Sequence, residues 1–410
     1  MTLLLHSGPV DRDTLPAQAQ VVVVGGGAIG LAAADELVRA GADVVVLERD
    51  HLGSGSSAKP FGGVRATFSD PGNIALGLRG LEKYAALHER TAGGIGLRRV
   101  GYLFCARTAG EAAALEASTA LQRSMGAVAD VVAPARAAEL NPFLDASALV
   151  SASFSPLDGY AQPSLAVAAW AASARERGAR VLEGVEVLDV ETTGDGARGA
   201  RRRVSAVVTS AGTVRCEHLV IAAGAWSAGL GRMAGTDLPV EPVRRQIAFA
   251  DAPAGSRRPA TPSGELPFTL DLSTTFYVHG SPDGLLLGIS DPAQAPGFGR
   301  AYDDSWLPAF EAAAAVVAPS LVGLPLRGGW AGLYENTPDH NALIGRVREV
   351  DGLVVATGFS GHGFLQAPAV GEVVRDLVTG REPALDVSGF APERFAPASA
   401  APLLQEVHII

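Results

Sequence analysis

Lysine, histidine and basic runs are scarce in this chain of 410 residues. Lysine occurs only at Lys59 and Lys83, so arginine carries nearly all of the positive charge, and the formal net charge is −10. An acidic chain without a basic block argues against nucleic acid, or an anionic membrane surface, as its main partner. The 8 histidines are scattered through the sequence and give no reason to expect a metal site.

Cysteine and long apolar runs are equally rare. Cys105 and Cys216 cannot form a disulfide framework or a site of four thiolates, and their neighbours predict buried, inert thiols in strands. No apolar run reaches the roughly 18 residues that a membrane-spanning helix needs. Residues 1–10 have neither the basic lead nor the cleavage site of a secretory signal, so we expect a cytoplasmic protein without a membrane partner.

The remaining composition is that of a globular protein. Hydrophobic residues make up 48% of the chain and charged residues 19%, which excludes wholesale disorder. A chain of this length is too long for one small core, and it predicts two domains or one large interrupted domain.

A dinucleotide-binding pattern stands near the start of the chain. Residues 21–24 are four valines, which is typical of a strand buried on both faces of a parallel sheet. An Ala- and Leu-rich helical segment and a second apolar strand at 43–47 follow. Between the first strand and the helix lies the spacing G-x-G-x-x-G, formed by Gly25, Gly27 and Gly30.

Each part of this pattern has a physical task. Gly25 permits a tight turn, Gly27 lets the backbone approach a pyrophosphate, and the start of the helix offers free N–H groups to the phosphates. Glu48 ends the second strand, where a carboxylate can accept hydrogen bonds from ribose hydroxyls. The same carboxylate would repel a 2′-phosphate, which argues against NADP.

Three later blocks and a loop narrow the choice of cofactor. The loop contains Ser56-Ser57 and Gly62-Gly63-Val64-Arg65, and the blocks cover residues 219–227, 329–339 and 358–364. With these motifs the sequence resembles the FAD-dependent D-amino-acid oxidase superfamily, in particular its glycine oxidase and sarcosine oxidase (β-subunit-like) branch. The loop departs from the branch at residues 58–60.

The resemblance implies an α/β fold in which a Rossmann-type FAD-binding domain is interleaved with a mixed-sheet (α+β) substrate domain. Residues 1–90, 155–235 and 325–390 would form the FAD-binding domain. Residues 91–154 and 236–324 would form the substrate-binding domain, and 391–410 a C-terminal tail. A glycine-rich turn before a helix near Phe364 would point the helix N-terminus at the flavin and stabilise its reduced, anionic form.

The resemblance also implies the residues that contact FAD. We expect the cofactor to be non-covalent, because Gly332 stands where monomeric sarcosine oxidases carry the linking cysteine. The expected contacts are Gly25, Gly27, Ala28, Ile29, Gly30, Glu48, Arg49, Ser56, Ser57, Phe61, Gly62, Gly63, Val187, Ala223, Gly224, Trp226, Gly358, Ser360, Gly361, His362, Gly363 and Phe364.

Candidate catalytic residues are Arg65, Tyr334 and His362. Arg65 matches an arginine that binds the substrate carboxylate in sarcosine oxidases, and a surface or phosphate-facing arginine is the alternative. Tyr334 matches an active-site tyrosine, and His362 is either a residue beside the flavin or a structural histidine. Tyr277 and His279 are further candidates for substrate binding.

Two leucines replace cations of the branch. Leu365 stands at the position of a carboxylate-binding lysine, and Leu286 at that of an oxygen-activating lysine. Both replacements make the predicted substrate pocket more apolar, and an N-substituted glycine with an apolar group would fit such a pocket.

The resemblance implies an oxidase of glycine-type or other secondary amines. Hydride would pass from the α-carbon to flavin N5, the imine would hydrolyse, and O2 would be reduced to H2O2. Three alternatives stay open at this point: a β-type subunit of a multi-subunit dehydrogenase, a FAD-binding protein without catalysis and, more remotely, an NAD dehydrogenase. An oligomer is possible.

Overall fold

The computed structural model describes residues 15–194, 201–395 and 406. This part of the chain contains two large β-sheets, a small third sheet and eight α-helices. The helices are α1 (Ala28–Arg39), α2 (Pro71–Arg90), α3 (Ala109–Ser124), α4 (Pro134–Leu140), α5 (Pro163–Glu176), α6 (Ser227–Ala234), α7 (Leu307–Val317) and α8 (Gly363–Thr379). The strands are β1 (Gln18–Val24), β2 (Val44–Leu47), β3 (Gly63–Val64), β4 (Tyr102–Ala106), β5 (Asp130–Val132), β6 (Ser151–Ser155), β7 (Gly159–Tyr160), β8 (Arg180–Leu182), β9 (Val187–Thr193), β10 (Arg202–Thr209), β11 (Gly212–Ile221), β12 (Glu241–Ala250), β13 (Phe268–Asp271), β14 (Phe276–Ser281), β15 (Gly284–Ile289), β16 (Leu326–Asn336), β17 (Leu343–Arg346), β18 (Val350–Asp351) and β19 (Leu353–Thr357).

The first sheet has a parallel centre that is buried on both faces. Its main path has the order β17-β19-β11-β1-β2-β8, and β1 pairs in parallel with β2 and β11. The side chains of residues 21–24 are almost fully buried, which explains why this strand is continuously apolar rather than alternating. The predicted strand, glycine turn and helix are confirmed, because α1 begins at Ala28 directly after the turn.

Helices α1, α2, α5 and α8 form a layer on one face of the first sheet. A Cβ atom on Gly371 would lie 2.7 Å from the carbonyl oxygen of Ala32, so α8 packs closely on α1. Helix α2 begins with Asp70 as its N-cap, whose carboxylate accepts a hydrogen bond of 2.9 Å from the Asn73 backbone N–H. On the other face, the β9–β10 hairpin and α6 complete the core.

The second sheet has the order β16-β12-β15-β14-β13-β4-β6-β5. The sequence predicts strands at 245–250, 275–279 and 285–289, with a hairpin turn between the last two. Strands β14 and β15 form this antiparallel hairpin, with Ser281 opposite Gly284. Strand β12 begins four residues earlier than predicted because it pairs along its whole length with β16.

This pairing of β16 departs from the expected domain boundary. The sequence places 325–390 with the cofactor part, whereas β16 belongs to the second sheet and only the strands from β17 onward join the first. The division into two domains stays a prediction, and most of the expected tail at 391–410, like residues 1–14, lies outside the described residues.

The two cysteines lie in β4 and β11 and are free and buried, as predicted. Burial raises the pKa of both thiols, that of Cys216 to about 12, so neither is a reactive thiolate. Among the described residues, no helix has both the length and the apolar character to span a bilayer.

Candidate cofactor and substrate site

A cavity of about 310 Å3 is lined by residues of both large sheets. The first-sheet wall is the part of the lining that comes from the first sheet. It consists of the β1–α1 turn, the end of β2, the start of β9 and the segment after β11. The lining from β12, β14 and β16 is the second-sheet wall. The loop at 53–61 and the start of α8 also line the cavity.

The glycine turn of the first-sheet wall has no room for side chains. Gly25 has a φ of 116°, and a Cβ atom there would lie 2.3 Å from the carbonyl oxygen of Ala222. A Cβ atom on Gly30 would lie 2.0 Å from the carbonyl oxygen of Gly25. The turn therefore stays tight and brings the positive end of the α1 dipole to the cavity.

Glu48 is fixed beside this turn. Its carboxylate accepts hydrogen bonds from the backbone N–H of Gly26, at 2.8 Å, and of Asp50, at 2.9 Å. Burial raises its pKa, although both hydrogen bonds favour the ionised form. Next to it, the Arg49 guanidinium lies 4.7 Å from the centre of the Trp226 ring, which also lines the cavity.

Three serines of the loop at 53–61 give the cavity a polar side. The Ala28 backbone N–H, at the start of α1, donates to the Ser57 hydroxyl at 2.8 Å. The hydroxyls of Ser54 and Ser56 are buried at the cavity and have no hydrogen-bond partner among the described residues. A bound group with phosphate or sugar oxygens would satisfy them, so these residues fit an extended dinucleotide.

The second-sheet wall is one face of an antiparallel sheet. Residues directly opposite each other share a face, and Arg245 lies opposite Gly332 while Ile247 lies opposite Trp330. Tyr277 lies on the same face and donates from its hydroxyl to the Gln246 carbonyl oxygen at 3.1 Å. Tyr334 follows Gly332 by two residues and completes this face.

Both tyrosines of this wall stay protonated at neutral pH. Burial raises the pKa of Tyr334 and of Tyr277, and the positive charge of Arg245 only partly opposes it. They therefore present neutral phenols to a ligand.

Most of the residues predicted to contact the cofactor line this one cavity. They are Gly25, Gly27, Ala28, Ile29, Glu48, Arg49, Ser56, Ser57, Phe61, Val187, Ala223, Gly224, Trp226, Gly361, Gly363 and Phe364. The remaining six, Gly30, Gly62, Gly63, Gly358, Ser360 and His362, are not part of its lining.

Packing accounts for several of these six. Gly63 begins β3, where a Cβ atom would collide with the Tyr102 hydroxyl. Gly358 has a φ of 70° at the turn after β19. The Ser360 hydroxyl accepts a hydrogen bond of 3.2 Å from the Thr337 backbone N–H. They support the lining rather than form it.

Arg65 does not line the cavity either, contrary to the expectation that it meets a substrate carboxylate there. It is buried, donates to the Thr67 carbonyl oxygen, and its guanidinium lies 4.0 Å from the centre of the Phe68 ring. Burial lowers its pKa, and the nearby carboxylates of Asp158 and Glu406 oppose that effect. Its surroundings are those of a structural arginine.

The other predicted substrate residues divide between the wall and the core behind it. Tyr277 and Tyr334 line the cavity, whereas His279 and Leu365 do not. His279 stacks on Phe268 at 4.7 Å, and burial lowers its pKa to about 4, so it is neutral. Leu365 packs with Phe68 in a small apolar cluster.

Three chemically active side chains of the cavity escaped the sequence reasoning. Arg245 lies on the second-sheet wall, Lys59 on the loop beside Gly332, and Glu335 next to Gly224. Burial raises the pKa of Glu335 to about 7, although a hydrogen bond from the Phe359 backbone N–H acts to lower it. Side chains alternate between the two faces of β12, so the sequence shows that Arg244 and Arg245 lie on opposite faces. It does not show which face lines the cavity, because that depends on the pairing of β12 with β16.

Comparison with protein families gives one extended match. The family model described as DAO, FAD dependent oxidoreductase, matches residues 20–377. Glycine oxidase from Geobacillus kaustophilus (strain HTA426) is 31% identical over 388 residues, which cover 91% of this chain and 96% of that protein.

Two further relatives have different printed activities. The 4-methylaminobutanoate oxidase (formaldehyde-forming) of Paenarthrobacter nicotinovorans is 30% identical over 400 residues. The match covers 94% of this chain but 46% of that protein, so the chain spans under half its length. The crystal structure of L-proline dehydrogenase from P. horikoshii superposes with a TM-score of 0.85 at 30% identity, covering 94% of this chain and 100% of that one.

Proposed function

The chain belongs to the DAO family of FAD dependent oxidoreductases, and from this premise we propose that it is an oxidase of glycine-type secondary amines with an N-substituted glycine as its substrate. It is a FAD-dependent enzyme that acts on amines or amino acids. In the proposed reaction, the α-carbon of the substrate would lose a hydride, which bound FAD would accept, and water would hydrolyse the resulting imine. The substrate, O2 and water give glyoxylate, a primary amine and H2O2.

One observation carries the proposal: a single cavity is lined by the dinucleotide turn and by two tyrosines of the second sheet. Bound FAD would supply the acceptor for two electrons. The first-sheet wall, with Gly27 and Glu48, would hold it. Tyr277 and Tyr334 would then contact the substrate from the second-sheet wall, as neutral hydroxyl groups.

The apolar lining supports a substituted amine. Ile247, Leu333 and Phe364 line the cavity, and Leu286 lies on the same sheet face as Tyr277. An apolar N-substituent can pack against such side chains. The same surroundings disfavour an ammonium ion and so keep the amine neutral, which is the form that can release hydride.

Lys59 supports O2 as the electron acceptor. This residue lines the cavity, and no carboxylate of the described residues lies within 4.0 Å of its ammonium. Reduction of O2 places negative charge on oxygen, and a nearby cation stabilises that charge. Neither cysteine lines the cavity, which supports non-covalent FAD; a location in the cytoplasm stays a prediction.

Anaerobic reduction of the purified yellow protein tests the proposal. N-alkylglycines should bleach the flavin absorbance faster than glycine, proline or D-amino acids, and admitting air should restore it with one H2O2 per turnover. Bleaching by free amino acids alone would contradict the substrate class. Bleaching without recovery in air would contradict the oxidase.

Two points favour a dehydrogenase as the second candidate. The superposition on L-proline dehydrogenase is extensive, and the resemblance to sarcosine oxidases implies that Leu286 stands where they carry an oxygen-activating lysine. In that case the chain would pass electrons to a partner protein. Gel filtration together with oxygen consumption separates the two: an oxidase consumes O2 without a partner.

A further inference from the structure

Arg245 places a positive charge on the second-sheet wall that no carboxylate of the described residues balances. It lies opposite Gly332, so no side chain of β16 covers it from that position. Its guanidinium carbon lies 5.5 Å from the centre of the Tyr334 ring. Within the described ranges, no carboxylate oxygen lies within 4.0 Å of the guanidinium.

In the part of the chain that the structure describes, one edge of this guanidinium has no hydrogen-bond acceptor. Nη1 donates to the Arg244 carbonyl oxygen at 3.1 Å, while Nε is buried without an acceptor and no hydrogen bond of the described residues involves Nη2. Nε and Nη2 form the same edge of the planar group. Such an edge binds a carboxylate through two parallel hydrogen bonds, and a buried N–H without an acceptor destabilises the protein until one arrives.

Two other arginines, Arg244 and Arg49, have carboxylate partners that Arg245 lacks among the described residues. Arg244 points to the opposite face of β12, where it donates to Asp303 at 2.6 Å, the Ala301 carbonyl oxygen at 2.9 Å and Gln294 at 3.1 Å. Arg49 also lines the cavity, but it pairs with Asp50 at 3.2 Å. Among the described residues, Arg49 thus has a neighbouring carboxylate as partner, whereas Arg245 has none.

We propose that Arg245 binds the carboxylate of the substrate, so that the enzyme selects N-substituted amino acids over amines without a carboxylate. The inference rests on the proposed function and gives Arg245 the task that the sequence assigned to Arg65. The carboxylate is held by the second-sheet wall. The substituent on nitrogen then meets the apolar side chains of Phe61, Ile247 and Phe364, which line the same cavity.

Binding of an unreactive carboxylate tests this site without catalysis. The holoprotein is titrated with 3-methylbutanoate and with its uncharged match 3-methylbutanamide, and the change in the flavin absorbance spectrum gives Kd. R245Q should weaken carboxylate binding about 100-fold, the order expected for losing a charge-assisted pair, and R245K about tenfold. Amide binding should not change. R244Q is the matched control and should bind both ligands like the wild type.

Turnover separates this inference from the proposed function. With an N-alkylglycine, R245Q should raise KM far more than it lowers kcat, while the corresponding N-alkylglycinamide should be a poor substrate for both proteins. Equal carboxylate affinities of wild type and R245Q, with both proteins yellow and equally stable to heat, would overturn the inference and leave the function standing. If no amine bleaches the wild type but carboxylates bind only with Arg245 present, the function falls and the anion site stands.

Discussion

The two walls of the cavity are built in different ways. The first-sheet wall includes the glycine turn, where a Cβ atom on Gly25 or Gly27 would lie within 3 Å of another atom, whereas the second-sheet wall includes Arg245, Tyr277 and Tyr334 of β12, β14 and β16. The glycine turn leaves no room for an added side-chain atom, so it fits one ligand shape. A side-chain wall can change its chemistry through single substitutions while the strands stay paired. The fold thus keeps the cofactor constant and leaves the substrate open to variation.

The largest effect should come from crowding the glycine turn behind the first-sheet wall. Gly30→Ala puts a Cβ atom 2.0 Å from the Gly25 carbonyl oxygen, so the turn must open. We expect an unfolding free energy lower by about 2–3 kcal/mol and loss of most bound flavin. The ratio of flavin to protein absorbance and thermal unfolding measure both.

Gly110→Ala is the matched control for this substitution. Gly110 lies in the first turn of α3, and a Cβ atom there meets nothing within 4 Å. We expect normal flavin content and a stability gain of up to about 1 kcal/mol. Equal behaviour of the two variants would show that the turn is not tight.

Glu335 joins the two walls, and its titration should be visible in stability. Burial raises its pKa from 4.5 to about 7, so the folded protein retains a proton that the unfolded chain releases. The unfolding free energy therefore falls as pH rises from about 4.5 to about 7, by about 3 kcal/mol from this group. Glu335→Gln should remove that part of the slope in urea denaturation at pH 5 and pH 8.

Other buried acids titrate in the same pH range, so the pH dependence of stability must be compared between the Glu335 variant and the wild type. The pKa of Asp70 is raised to about 6 and that of Asp158 to about 7, in each case mainly by burial. Glu349→Gln, at an exposed carboxylate, should keep the full slope of the wild type. A Glu335→Gln slope identical to the wild-type slope would contradict the assignment.

Substitution of Glu48 tests a side-chain anchor of the first-sheet wall. Glu48→Ala removes two hydrogen bonds to backbone N–H groups and the acceptor for ribose hydroxyls. We expect FAD to bind about 30-fold more weakly, since hydrogen bonds to a charged group contribute about 2 kcal/mol. Fluorescence titration of the apoprotein measures it. Glu186→Ala, on the same wall, should change the affinity far less.

The smallest effect concerns Lys59 and the reoxidation of the reduced protein by O2. Lys59→Met should slow reoxidation of the reduced protein by O2 about tenfold and leave anaerobic bleaching unchanged, because the cation acts only on reduced oxygen. Stopped-flow mixing with O2 gives the rate. Lys83→Met is the control, since Lys83 pairs with Glu36 at 2.5 Å and Glu372 at 2.9 Å on the helix layer.

The first-sheet wall could be predicted because its signals are local. Residues 21–48 contain a strand, a turn, a helix, a second strand and an acid in one continuous run, and each part has its own sequence pattern. The start of α8 was predictable for the same reason, with a buried strand and two glycines just before it and a third glycine as its first residue.

The second-sheet wall depends on pairings between distant strands. Arg244 and Arg245 are adjacent and chemically identical in the sequence, and only the register of β12 on β16 decides which one lines the cavity. Arg65 shows the converse. A matching motif placed it next to the cofactor loop, but β3 pairs with β7 and the side chain reaches Phe68 and Phe104 instead.

The order of strands in the two sheets bears on how such a protein can diversify. The chain passes between the sheets four times: after β2, after β6, after β11 and after β16. A single genetic crossover therefore cannot exchange the whole second sheet for that of another enzyme, and two separate insertions would be required. Point substitution on β12, β14 and β16 is the simpler route to a new substrate, because it leaves every crossing in place.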